Sequence, residues 1–127
     1  MASELKNIDA QGAAKLKQNG ALMVDVREMR EYAAQRMPGS TNIALSKLEA
    51  SELSAGDDRA IVFFCASGAR TSIHADRLAA KAGGSAAYVM EGGLSAWGRA
   101  GLPVENGGGG GGNGLLSRII GSIAKGR

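Results

Sequence analysis

Short apolar runs that lack in/out alternation recur along the chain, with helical stretches between them. Ala21-Leu22-Met23-Val24-Asp25-Val26, Ala60-Ile61-Val62-Phe63-Phe64 and Ala86-Ala87-Tyr88-Val89-Met90 each read as a buried strand, and Ile43 marks a further short one. Asp9 is placed to cap a helix over 10–18 that stops at Asn19-Gly20. A second helix spans 28–35 before Pro38-Gly39 breaks the pattern. Ser46 is expected to cap a brief helix reaching Leu53. Helices over 71–82, closed by Gly83-Gly84, and over 94–100 complete the pattern. Strands apolar on both sides, alternating with helices, predict an α/β domain with a parallel sheet covered on both faces. Such sheets bind ligands at the carboxyl ends of their strands, which singles out the ends at Asp25 and Cys65.

The pattern stops at Asn106. Residues 107–112 are all glycine, a run that loses too much entropy on ordering to hold one conformation. The expected division is therefore a domain over 1–105, a flexible linker over 106–114 and a short tail over 115–127. In the tail, Leu115, Leu116, Ile119, Ile120 and Ile123 fall on one helical stripe, with Arg118, Lys125 and Arg127 for a polar face. Interrupted by Gly121, the segment is too short to be a stable helix alone. It is expected to be dispensable for chemistry, and to make at most a weak contact with an anionic membrane surface or a partner.

Composition narrows the function classes. In 127 residues, 44% are hydrophobic and 21% charged, which suits one compact domain and not a disordered chain. The net charge of +3 comes with only 4% aromatics, so no nucleic-acid role is expected. The single cysteine rules out an intramolecular disulfide and points to a reducing compartment. With no secretory signal at the N-terminus and no apolar run of about 20 residues, a cytoplasmic monomer is expected.

The chemistry concentrates in Cys65-Ala66-Ser67-Gly68-Ala69-Arg70-Thr71, which follows the clearest strand and opens a helix. Small residues let a tight loop turn its backbone N–H groups inward. The following helix adds its free N–H groups, and Arg70 a permanent charge with a planar donor fork. Together they lower the pKa of a thiol at the start of the loop and make an anion site above it.

This loop resembles the active-site loop of the rhodanese family, C-x-x-G-x-R-[ST]. The resemblance continues in Asp25-Val26-Arg27-Glu28-Met29-Arg30-Glu31-Tyr32, in Pro38-Gly39-Ser40-Thr41-Asn42-Ile43, and in Glu91-Gly92-Gly93-Leu94-Ser95-Ala96-Trp97 followed by Ala100-Gly101-Leu102-Pro103-Val104. Gln35-Arg36-Met37 stands where the family commonly has Gly-His-Ile. The resemblance implies a rhodanese-like three-layer domain with a central parallel sheet of about five strands. It also implies a sulfurtransferase without cofactor, which moves sulfane sulfur from thiosulfate or a persulfide, small or protein-borne, to a thiol or cyanide through a Cys65 persulfide. Cys65 would be the nucleophile. Ala66, Ser67, Gly68, Ala69, Arg70 and Thr71 would hold the donor, with Asp25 and Arg27 in support.

Other readings compete. A phosphatase of the same fold would have one more residue between Cys65 and its arginine, and an arsenate reductase would need an external thiol. A sulfur relay working only with a partner, or a regulatory binding module, also accounts for the motifs. His74 is read as a surface or partly packed helix residue, Asp25 and Arg27 as an ion pair bracing a loop, and Trp97 as core. No Cys/His spacing suits a metal.

Overall fold

The computed structural model describes residues 4–53 and 59–107. Five strands form a parallel sheet in the order β1-β6-β5-β2-β4: β1 (Leu5–Ile8), β2 (Leu22–Asp25), β4 (Thr41–Asn42), β5 (Ile61–Phe64) and β6 (Ala87–Met90). β5 is central and all four of its residues are buried. Side chains leave a strand alternately to its two faces, so Ile61, Phe63 and Cys65 enter one core and Val62 and Phe64 the other. The first core is closed by Leu45, Leu48, Leu78 and Ala82, the second by Ala10, Ala13, Leu94 and Trp97. The predicted three layers are therefore present, with helices on both faces.

Helix α1 (Ala10–Gln18) starts as expected: Asp9 Oδ1 accepts the Gly12 N–H at 2.8 Å. Helix α2 (Met29–Ala34) carries a capping box between Glu28 and Glu31. Two expectations change, and one strand is new. The helix expected over 71–82 is two helices, α3 (Ala69–Ile73) and α4 (Ala75–Ala82), with the break at His74. The helix expected from Ser46 to Leu53 is a 3₁₀ turn, Leu45–Lys47, and Ser46 donates to Glu28 Oε1 at 2.8 Å instead of capping it. β1 does not stand out in the sequence, because Lys6 and Asn7 are exposed at the sheet edge. Four residues with two polar ones inside carry too little periodicity to mark a strand.

A small antiparallel ribbon lies outside the main sheet. β3 (Gln35–Arg36) pairs with β7 (Glu105–Asn106). Asn106 thus belongs to the hydrogen-bonded body and not to the linker, and Gly107 N–H continues it by donating to Ala34 O at 3.0 Å. A Cβ at Gly107 would lie 1.8 Å from Ala33 O, so this first glycine of the run is needed for close backbone approach. The remaining linker and the 115–127 tail lie outside the described residues. Among the described residues no helix is long and apolar enough to cross a membrane.

Replacing Gly107 by Ala should push the β3–β7 ribbon away from α2 and cost about 1–2 kcal/mol. Urea unfolding of the full chain measures this. Gly109→Ala, within the glycine run, is the comparison, and should change the midpoint little.

Candidate active site

Cys65 follows β5 at the carboxyl edge of the sheet, beside the end of β2, where Val26 N–H donates to Phe64 O at 2.9 Å. The two strand ends expected to matter are therefore neighbours. Beyond Cys65 the chain turns at Gly68, at φ +100°, and enters α3. This curls the loop around the sulfur. Gly68 N–H points at Cys65 Sγ, with 3.1 Å between N and S. Thr71, fully buried, places its hydroxyl between two acceptors, 3.8 Å from the sulfur and 3.1 Å from Gly68 O.

The thiol is fully buried. Burial alone would push its pKa up, because it penalises the charged form. The net shift is nevertheless downward: the N–H groups of Thr71, Gly68 and Arg70, together with the Thr71 hydroxyl, outweigh desolvation. The groups that favour the charged form of this sulfur are mostly backbone.

A second loop supports the first from behind. Leu94 N–H donates to Cys65 O at 2.8 Å and Ser95 N–H to Ala66 O at 3.0 Å. These bonds require α5 (Gly93–Arg99) to begin against the cysteine loop. A Cβ on Gly93, whose φ is +59°, would lie 2.4 Å from Cys65 O. The Gly92-Gly93 pair is thus part of the site's construction, which no reading of the cysteine loop by itself would reveal.

Around the rim, Ser67 and Ala69 are exposed and Ala66 and Gly68 half-buried. Arg70 does not extend a free fork over the sulfur. Its Nη1 and Nη2 donate to Glu31 Oε2 and Oε1 at 2.8 and 2.9 Å. Its charge still attracts the thiolate, but the leading stabilisers of that thiolate are backbone groups. Glu31 sits in the Asp25–Tyr32 stretch, but only the fold brings it to a partner 39 residues away. Asp25 and Arg27 form the expected buried ion pair, with Arg27 Nη2 at 2.8 Å from Oδ2. Arg27 also donates to Gln35 O at 2.6 Å and borders a cavity of about 180 Å³ with Ala66, Leu94 and Ser95. His74 faces Arg77 at 3.2 Å, and Trp97 lies in the core and donates to Pro103 O at 2.7 Å.

Comparison with known proteins follows the same outline. Residues 4–100 match the model of the rhodanese-like domain. The chain belongs to the rhodanese-like domain family. It is 33% identical to the thiosulfate sulfurtransferase GlpE of Ectopseudomonas mendocina over 81% of this chain and 93% of that protein. It is also 33% identical to the uncharacterized protein slr1261 of Synechocystis sp., over 68% of this chain; there the match spans about half of the relative, 48%. Among solved structures, a Rhodopseudomonas palustris protein described as a possible tyrosine phosphatase superposes with a TM-score of 0.65. It is 28% identical over 80% of this chain and 85% of that one.

Two outcomes test the geometry. Thr71→Val removes a hydroxyl that favours the thiolate, so the Cys65 pKa should rise and the midpoint of alkylation rate against pH should move to higher pH. Gly93→Ala should cost about 2 kcal/mol or more, read from chemical denaturation, because both the close contact and the positive φ oppose a side chain.

Proposed function

We propose that this protein is a sulfurtransferase that carries sulfane sulfur as a persulfide on Cys65. The observation that carries the reading is the buried sulfur that accepts the Gly68 N–H at 3.1 Å, with the Arg70 and Thr71 N–H groups also favouring its charged form. Such a site favours a thiolate before transfer and an anionic terminal sulfur after it. Seclusion from bulk water also protects a persulfide from side reactions.

With thiosulfate as donor, the Cys65 thiolate attacks the outer sulfur, the donor's S–S bond breaks, and sulfite leaves with the electron pair. The terminal sulfur on Cys65 is then taken by a thiol or by cyanide, which regenerates the thiolate. Ala66 to Thr71 frame the position of the transferred sulfur, while Asp25 and Arg27 brace the adjoining loop. The reaction requires a reduced cysteine and so fits a reducing, cytoplasmic setting. The family membership and the relative named thiosulfate sulfurtransferase support this reading. A phosphatase role fits less well. Only four residues separate Cys65 from Arg70, and the fork that would hold a phosphoryl group is engaged by Glu31.

Full-length protein incubated with thiosulfate should gain the mass of one sulfur atom, which cyanide or a reductant removes. Cys65→Ser should gain none. A wild-type protein that takes sulfur from neither thiosulfate nor an alkyl persulfide would overturn the assignment. So would phosphatase turnover lost in Cys65→Ser.

A further inference from the structure

The two arginines beside the cysteine loop are each already matched to a carboxylate. Arg27 is bonded to Asp25, and Arg70 is bonded at both fork nitrogens to Glu31. The formal charges of these four cancel, and the further charged side chain bordering the loop, Glu91, which lines a cavity with Ser67, Gly68 and Thr71, is acidic. The rim is therefore not the cationic cradle that the loop sequence suggests. Glu31 is also well anchored. Its Oε2 accepts the Glu28 N–H at 3.1 Å, and its place in the first turn of α2 fixes its direction. Arg70 holds its carboxyl down at about 2, so the pair stays charged throughout the neutral range and does not act as a pH gate. The other charged groups that influence the pair are Arg27, Asp25 and Cys65 itself.

We infer that Glu31 is a specificity-determining residue. By occupying the Arg70 fork, it disfavours dianionic donors such as thiosulfate relative to donors of lower total charge, namely alkyl persulfides. This rests on the sulfurtransferase reading. In the favoured reaction, the Cys65 thiolate attacks the outer, protonated sulfur of R–S–SH. The donor's S–S bond breaks and R–S⁻ leaves with the electron pair, then takes a proton from water. Cys65 retains S–SH. Glu31 touches no reacting atom and acts through Arg70, so it is a positioning residue.

Alkylation by iodoacetate and by iodoacetamide tests this without any sulfur transfer. The two reagents share a leaving group and differ in charge, so the ratio of their rates cancels the thiolate fraction. Glu31→Gln should raise the iodoacetate-to-iodoacetamide ratio roughly threefold, the scale of releasing one partly exposed ion pair. Glu31→Asp keeps the charge but is too short for a two-point hold, and should give an intermediate ratio. Glu28→Gln removes the same charge from a side chain that bonds Ser46 and not Arg70, and should leave the ratio unchanged. In an Arg70→Ala background, Glu31→Gln should add nothing comparable. For sulfur transfer, Glu31→Gln should raise kcat/KM for thiosulfate by a similar factor and raise it less for an alkyl persulfide that carries no charge besides its terminal sulfur. A ratio unmoved by Glu31→Gln, moved equally by Glu28→Gln, or moved equally without Arg70, overturns the inference. If the wild-type protein forms no persulfide, the functional reading fails, while the alkylation ratios still report on Glu31.

Discussion

The carboxyl edge of this sheet is arranged around one electrostatic constraint: the charged form of Cys65 is favoured where water does not reach it. Cys65 is fully buried, and burial alone would keep it neutral. The compensation comes from peptide N–H groups at Gly68, Arg70 and Thr71, delivered by a loop that turns sharply into a short helix. Peptide dipoles suit this role because they cost no ion desolvation and have few ways to relax away. A lysine or arginine pressed against the sulfur would have to be buried as well, at the expense of its own hydration.

That constraint propagates outward. A loop held by its own N–H groups needs its carbonyls satisfied elsewhere, and Leu94 and Ser95 supply donors to Cys65 and Ala66. Those donors can arrive only if α5 begins in close contact with the loop, which sets the requirement at Gly93. On the other side, Asn42 Nδ2 donates to the carbonyls of Asp25 and Arg27 at 3.0 and 2.9 Å, fixing the neighbouring strand end. The motif segments quoted from the sequence are therefore the pieces of one hydrogen-bonded frame around the sulfur.

The charged side chains form an outer ring with a different logic. Buried Asp25 and Arg27 satisfy one another and tie β2 to β3 through Gln35 O. Glu31 and Arg70, each about one-third exposed, tie α2 to α3. An exposed pair of this kind adds little stability. Its consequence lies in what it leaves available to an incoming anion.

Local chemistry in the sequence was enough to determine the strand at 61–64, the cap at Asp9 and the thiol at the opening of a helix. Apolar runs, a capping carboxylate and a small-residue turn each act within a few residues of themselves. The paired strand ends at Asp25 and Cys65 were legible too, because a parallel sheet places its carboxyl ends on one edge. The edge strand β1, the β3–β7 ribbon and the break at His74 were not legible. Short polar-faced strands carry no periodic signal, and their pairing is decided by whichever backbone they meet. The role of Arg70 shows the limit most clearly. As a residue it promises a free cation above the sulfur, yet the fold brings Glu31 of α2 to its fork. The sequence determined that a cation would stand beside the thiol. Tertiary structure alone decided how much of its charge remained, because ion pairing depends on distance in space and not along the chain.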